Sequence, residues 1–203
     1  MKGIHIRGSL IFTCFLVVIS LIACSPKRVV RGRIVDAETR QPIEGAAVAI
    51  KWLEDGSEQA PSRISTYHAS QALSDKAGVF RIPQYPEKHY NLGVYKKGYI
   101  CWSNRDIFAE SNNADNTETY KTRYGYQLTD GVEIKLTPFK RGMSRDRHAG
   151  FTVMVAGEST DTTNGPFNQA IKSEYQLWRE NLRKNFQKNF GAKPASDTKS
   201  PSD

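Results

Sequence analysis

Residues 30–52 read VRGRIVDAETRQPIEGAAVAIKW. Val30, Gly32 and Ile34 alternate with Arg31, Arg33 and Val35. A period of two marks a half-buried β-strand. Residues 36–42 are a polar turn ending in Pro42. Ala46, Val48, Ile50 and Trp52 then share one face of a second strand. Downstream the same grammar repeats. Residues 71–74 and 79–82 flank Asp75-Lys76-Ala77-Gly78, a hairpin signal in which glycine supplies a positive φ. Leu92 and Val94 alternate, Lys97-Gly98 turns the chain into Tyr99–Trp102, and Val132, Ile134 and Leu136 end at Pro138. No helical period separates these strands, which disfavours a βαβ parallel sheet. The expected fold is mainly β: a seven-stranded sandwich over residues 28–138, of immunoglobulin-like type, followed by a C-terminal amphipathic helix.

The residues also carry a resemblance. Val30-x-Gly32-x-Ile34-x-Asp36, Thr39, Pro42-Ile43-x-Gly45-Ala46-x-Val48, Ser74-Asp75-x-x-Gly78-x-Phe80-x-Ile82, Leu92-x-Val94 and Gly98-Tyr99 are similar to the signature of the carboxypeptidase regulatory-like domain. That family is a transthyretin-like sandwich, similar also to the peptidase-associated domains of outer-membrane receptors. Ser74 stands where the family usually has threonine. The resemblance implies scaffold: Gly32 a close approach or bulge, Asp75 and Gly78 a turn, Phe80 and Ile82 the core. A fold of this kind does not name a function.

The N-terminus reads as an address. Lys2 and Arg7 precede an apolar run from Leu10 to Ala23, too short to span a bilayer and of signal-peptide length. Leu21-Ile22-Ala23-Cys24 resembles the lipobox of bacterial lipoproteins. The resemblance implies cleavage of residues 1–23, a diacylglycerol on the Cys24 thiol, an acylated amine, and residues 24–27 as a short linker. Several acyl chains on one residue make a lasting anchor where one does not. In the resemblance to lipoproteins of Gram-negative bacteria, Ser25 in place of aspartate implies the outer membrane facing the periplasm, with the inner membrane and the cell surface as alternatives. Of three cysteines, Cys14 leaves with the signal and Cys24 takes lipid, so Cys101 is a lone thiol expected in the core.

Behind the sandwich, residues 139–165 form a basic connector. The alternation of Phe151, Val153 and Val155 allows an extra strand there. Phe167, Ile171, Tyr175, Trp178, Leu182, Phe186 and Phe190 recur at helical spacing, which predicts one amphipathic helix over 166–190. Pro166 suits its first position and Gly191 its stop. Its stripe packs on the sandwich, docks a partner, or meets the membrane surface. Residues 191–203 read as a disordered tail.

No catalytic or cofactor motif is present. His68, His89 and His148 have no metal-ligand spacing, and nucleophile-elbow, Walker and dinucleotide patterns are missing. No enzyme, metal or cofactor is expected. The net charge of +8 falls to +6 without residues 1–23. Residues 25–138 carry 16 basic and 14 acidic side chains and residues 139–203 carry 11 and 7, too even a distribution for a nucleic-acid footprint. The function expected is a lipid-anchored interaction or envelope-assembly module with a protein partner. The alternative is a glycan- or peptide-binding lipoprotein using Trp52, Trp102, Tyr124 and Tyr126, with an unrecognised hydrolase behind both.

Overall fold

The computed structural model describes residues 28–54, 66–85, 88–109, 120–160 and 164–190. The segment expected to be a signal, Cys24, most of the 54–68 loop, the 111–119 loop and the tail lie outside the described residues.

Strands β1 (Val29–Asp36), β4 (Val79–Pro83) and β9 (Val132–Leu136) form one sheet in the order β4-β1-β9. Strands β2 (Ala47–Leu53), β3 (Thr66–Leu73), β5 (Tyr90–Tyr95) and β6 (Trp102–Ser103) form the second, in the order β3-β2-β5-β6. A small ribbon pairs β7 (Asp106–Phe108) with β8 (Tyr120–Thr122). The protein is therefore mainly β, with the expected sandwich and nine strands among the described residues instead of seven. The two ribbon strands lie beside a polar loop, and their residues lack the alternation that marked the others.

Between the sheets Val30, Ile34, Phe80, Ile82 and Ile134 meet Val48, Ile50, Trp52, Leu92 and Val94. The alternating residues of the opening stretch thus face the core as their period requires. The turn chemistry follows as well. Asp75 Oδ1 accepts the amides of Ala77 and Val79 at 2.9 and 2.8 Å. Gly78 takes φ 75°, and a side chain there would overlap the Ile34 carbonyl. Ser74 Oγ, buried, accepts the Ala46 amide at 2.8 Å and donates to the Ile43 carbonyl at 2.7 Å.

A third layer covers the outer face of the β2–β5 sheet. Residues 145–159 are not the extra strand that Phe151, Val153 and Val155 suggest. They form helix α1 (Arg145–Ser159), whose cap Ser144 accepts the Arg147 amide. Its buried residues are His148, Ala149, Phe151, Thr152, Val155, Ala156 and Ser159, which is helical spacing carried largely by small and polar side chains. Hydrophobicity alone misses such a face. The sheet beneath is equally small: Ala47, Ala49 and Gly93 let α1 sit close, and a Cβ on Gly93 would lie 2.7 Å from Ser159 Oγ and Val155 Cγ1. Lys51 Nζ and Asn91 Nδ2 donate to the Gly157 and Glu158 carbonyls at the C-terminal end of α1.

The predicted helix over 166–190 is two helices, α2 (Pro166–Ala170) and α3 (Lys172–Phe190), joined at Ile171. Pro166 does occupy the helix start. Phe167 and Ile171 are buried against the sheet and α1.

Candidate functional site

Three places bear on function: the exposed face of α3, a cleft beside β9, and a buried polar cluster under the helices.

Helix α3 packs through Glu174, Leu177, Trp178 and Asn181, which are buried or half-buried. The remaining stripe residues point elsewhere: Tyr175 is 44 % exposed, Leu182 56 % and Phe186 65 %. Arg179 and Arg183 border this face at helical spacing, and Lys184 pairs with Glu180 at 3.0 Å. The stripe of the candidate partner helix is thus divided. Phe167, Ile171 and part of Trp178 serve the core, and Tyr175, Leu182 and Phe186 face outward. A helix has room for two apolar faces when one of them is completed by a buried carboxylate and an amide.

The cleft, about 370 Å³, runs between β9 and the β6–β8 region. Trp102, Phe108, Arg123 and Tyr126 line it, and so do Glu133 to Lys135 of β9. The Arg123 guanidinium lies 4.9 Å over the Trp102 ring, and Tyr126 meets that ring edge-on at 4.9 Å and 70°. Burial raises the Asp106 carboxyl above its ordinary range. Tyr126 Oη is buried and has no hydrogen-bond partner among the described residues.

The four candidate binding aromatics are not one platform. Trp52 is 2 % exposed, wedged between Tyr85 and Tyr90 at 5.6 and 5.1 Å, and cannot stack on a ligand; the alternation that suggested a strand already placed it in the core. Tyr124 is 87 % exposed and does not line the cleft. Trp102 and Tyr126 come together there, with one Trp102 face taken by Arg123.

The third place is a cluster that no sequence spacing announced. Glu174 of α3 is buried; its Oε1 accepts from Tyr95 Oη at 3.1 Å and from Arg145 at 3.0 Å. His148 Nε2 accepts the Cys101 amide at 3.0 Å. A ring nitrogen that accepts is unprotonated, so this imidazole is neutral. Burial, with Arg145 adding to it, lowers His148 to about 4. Its Nδ1 is 4.0 Å from Glu174 Oε2, beyond hydrogen-bond length. Burial drives the Cys101 thiol upward, so it stays protonated. The residues come from positions 95, 101, 145, 148 and 174, and only the packing of α1 and α3 on β5 joins them. Among the described residues no group of three or more His, Cys, Asp or Glu side chains is placed to hold a metal ion.

Residues 29–120 match the model of the carboxypeptidase regulatory-like domain, a span that takes in the sandwich strands β1 to β6 and stops short of β9. No curated protein matches. Among solved structures, catechol 1,2-dioxygenase of Acinetobacter radioresistens is similar at 14 % identity and a TM-score of 0.34, over 57 % of this chain and 53 % of that one. This chain thus spans about half the length of that enzyme. A streptococcal ancillary pilin is similar at 17 % identity and 0.30, over 56 % and 30 %. The C-terminal domain of a shaft pilin from Lactobacillus rhamnosus GG is similar at 18 % and 0.30, over 55 % and 97 %.

Proposed function

We propose that the chain is a non-catalytic lipoprotein of the bacterial envelope. Lipid on Cys24 tethers the carboxypeptidase regulatory-like sandwich to the outer membrane on its periplasmic side, and the sandwich presents α3 to a protein partner. The observation that carries the reading is the outward apolar face of Tyr175, Leu182 and Phe186 on a helix already packed by another face. An apolar helix face bordered by arginines fits a groove with an apolar floor and an acidic rim. The lipobox-like Leu21-Ile22-Ala23-Cys24 supports the tether, and Ser25 the outer membrane.

The test is photo-crosslinking in intact cells. A photoreactive residue at position 182 yields a discrete protein adduct, and one at Gln187, on the opposite side of the helix, does not. Equal adducts at both positions, or none at 182, would reject the docking face. Separately, Cys24→Ala abolishes labelling by radioactive palmitate and leaves the unprocessed precursor. Unchanged labelling would reject the anchor.

A further inference from the structure

Strand β9 is an edge: its sheet runs β4-β1-β9 and ends there. In a strand the backbone polar groups of successive residues point to opposite sides. The Leu136 carbonyl accepts from Ala37 at 2.9 Å on the β1 side, and the Thr137 carbonyl accepts from Ile100 at 2.9 Å on the other. Val132, Ile134 and Leu136 therefore serve the ladder with β1. Glu133 and Lys135 turn their N–H and C=O groups away from it, toward the cleft they border. No strand lies beyond them among the described residues. An exposed edge of this kind is a template for one more strand.

The cleft is shaped for a strand. Its lining includes Trp102 and Phe108, and the buried Tyr126 hydroxyl lacks a partner among the described residues. At about 370 Å³ it admits a short segment and not the edge of a second folded domain.

We propose that this cleft takes an extended peptide segment of a partner protein, which pairs antiparallel with β9. Main-chain bonds go to Glu133 and Lys135. The peptide residue opposite Ile134 points inward and is apolar, to meet Trp102, which packs against the same core as Ile134. The residue opposite Lys135 points to solvent and is acidic, while Glu133 is already paired with Arg40 at 2.7 Å and asks for no charge opposite it. Read from its N-terminus, the segment therefore has an acid immediately before an apolar residue. A glycan offers no such alternation of donors and acceptors, and the Trp102 face it would stack on is covered by Arg123.

The test is selection of a random heptapeptide phage library on the full-length chain in detergent. Peptides with an acid immediately before an apolar residue are enriched. Lys135→Pro removes an amide that β1 does not use, an edge position where proline is tolerated, and weakens a selected peptide by about tenfold or more. Methylating the selected peptide's own amides opposite Glu133 and Lys135 does the same with the protein unaltered, so a folding defect in Lys135→Pro leaves the question decidable. No enrichment, or binding that survives both changes, overturns the proposal. Competition by chitotetraose, or a β9-mediated dimer in sedimentation that blocks the peptide, reassigns the cleft to a glycan or a second copy and overturns it too.

Discussion

At Gly32 a missing side chain makes room for the Phe80 ring, which lies over it from the neighbouring strand with Val132 close by. A Cβ would overlap that ring. Alanine in a strand interior is otherwise favoured over glycine by roughly 0.5–1 kcal/mol, so the overlap decides the sign. Gly32→Ala is expected to destabilise by about 1–3 kcal/mol, the range of overpacked cores, as a lower urea midpoint with an unchanged slope. His148 supplies a second single-residue prediction. Its ordinary value is 6.5 and the folded value about 4, so the folded protein resists the proton that the unfolded chain accepts. The stabilisation is complete above 6.5, where the ring is neutral in both states. It is lost as pH falls from 6.5 toward about 4. The loss amounts to at most about 3 kcal/mol. His148→Gln keeps an acceptor for the Cys101 amide and should flatten this slope. An equal slope in the variant would place the acid sensitivity elsewhere.

Element by element, the strands of the opening stretch were legible because one face of each is strongly apolar and the other is not. Helix α1 was not, for a physical reason: its contact face is made of Ala149, Thr152, Ala156 and Ser159 beside Phe151 and Val155, set against Ala47, Ala49 and Gly93. Close approach between small residues gives dispersion energy without a hydropathy signal. Helix α3 was legible as a helix, and its division of labour was not. Glu174 and Asn181 lie on its packed face, where no hydropathy scale puts them, and the apolar Leu182 lies outside it. The buried start of the stripe, on α2 and at the joint, and its exposed part on α3 predict opposite responses. Phe167→Ala and Ile171→Ala should each cost about 2–5 kcal/mol as core truncations. Leu182→Ser and Phe186→Ser should stay within about 0.5 kcal/mol of the parent. Thermal melts of the four variants decide this. A large loss at Leu182 would mean that its face is part of the fold and would remove the argument for docking.

On the scale of the whole molecule, β2 is the hinge of the architecture. Val48, Ile50 and Trp52 face one core, while Ala47 and Ala49 face the other, so sandwich and helices share a strand. The sequence disclosed the first core through its family-like pattern. It could not disclose the second, whose polar centre of Tyr95, Cys101, His148 and Glu174 is assembled from distant positions. Nor could it disclose the cleft, whose walls come from β6, β7 and β9. If the helical layer is a true part of the domain, Cys101 reports on it. The thiol is buried beneath α1, its amide is held by His148, and burial keeps it protonated. An aromatic disulfide reagent should label Cys101 only at the rate of opening, as read by peptide mapping at that residue. Phe167→Ala loosens the contact of α2 with the sheet and should raise the labelling rate more than it raises global unfolding. Gly32→Ala disturbs only the inter-sheet core, so its labelling should rise in step with the unfolded fraction. The same dependence in both variants would mean that the two cores open together and that the helices have no separate stability. Prompt labelling of the unaltered protein would mean that the helical layer does not cover the sheet in solution.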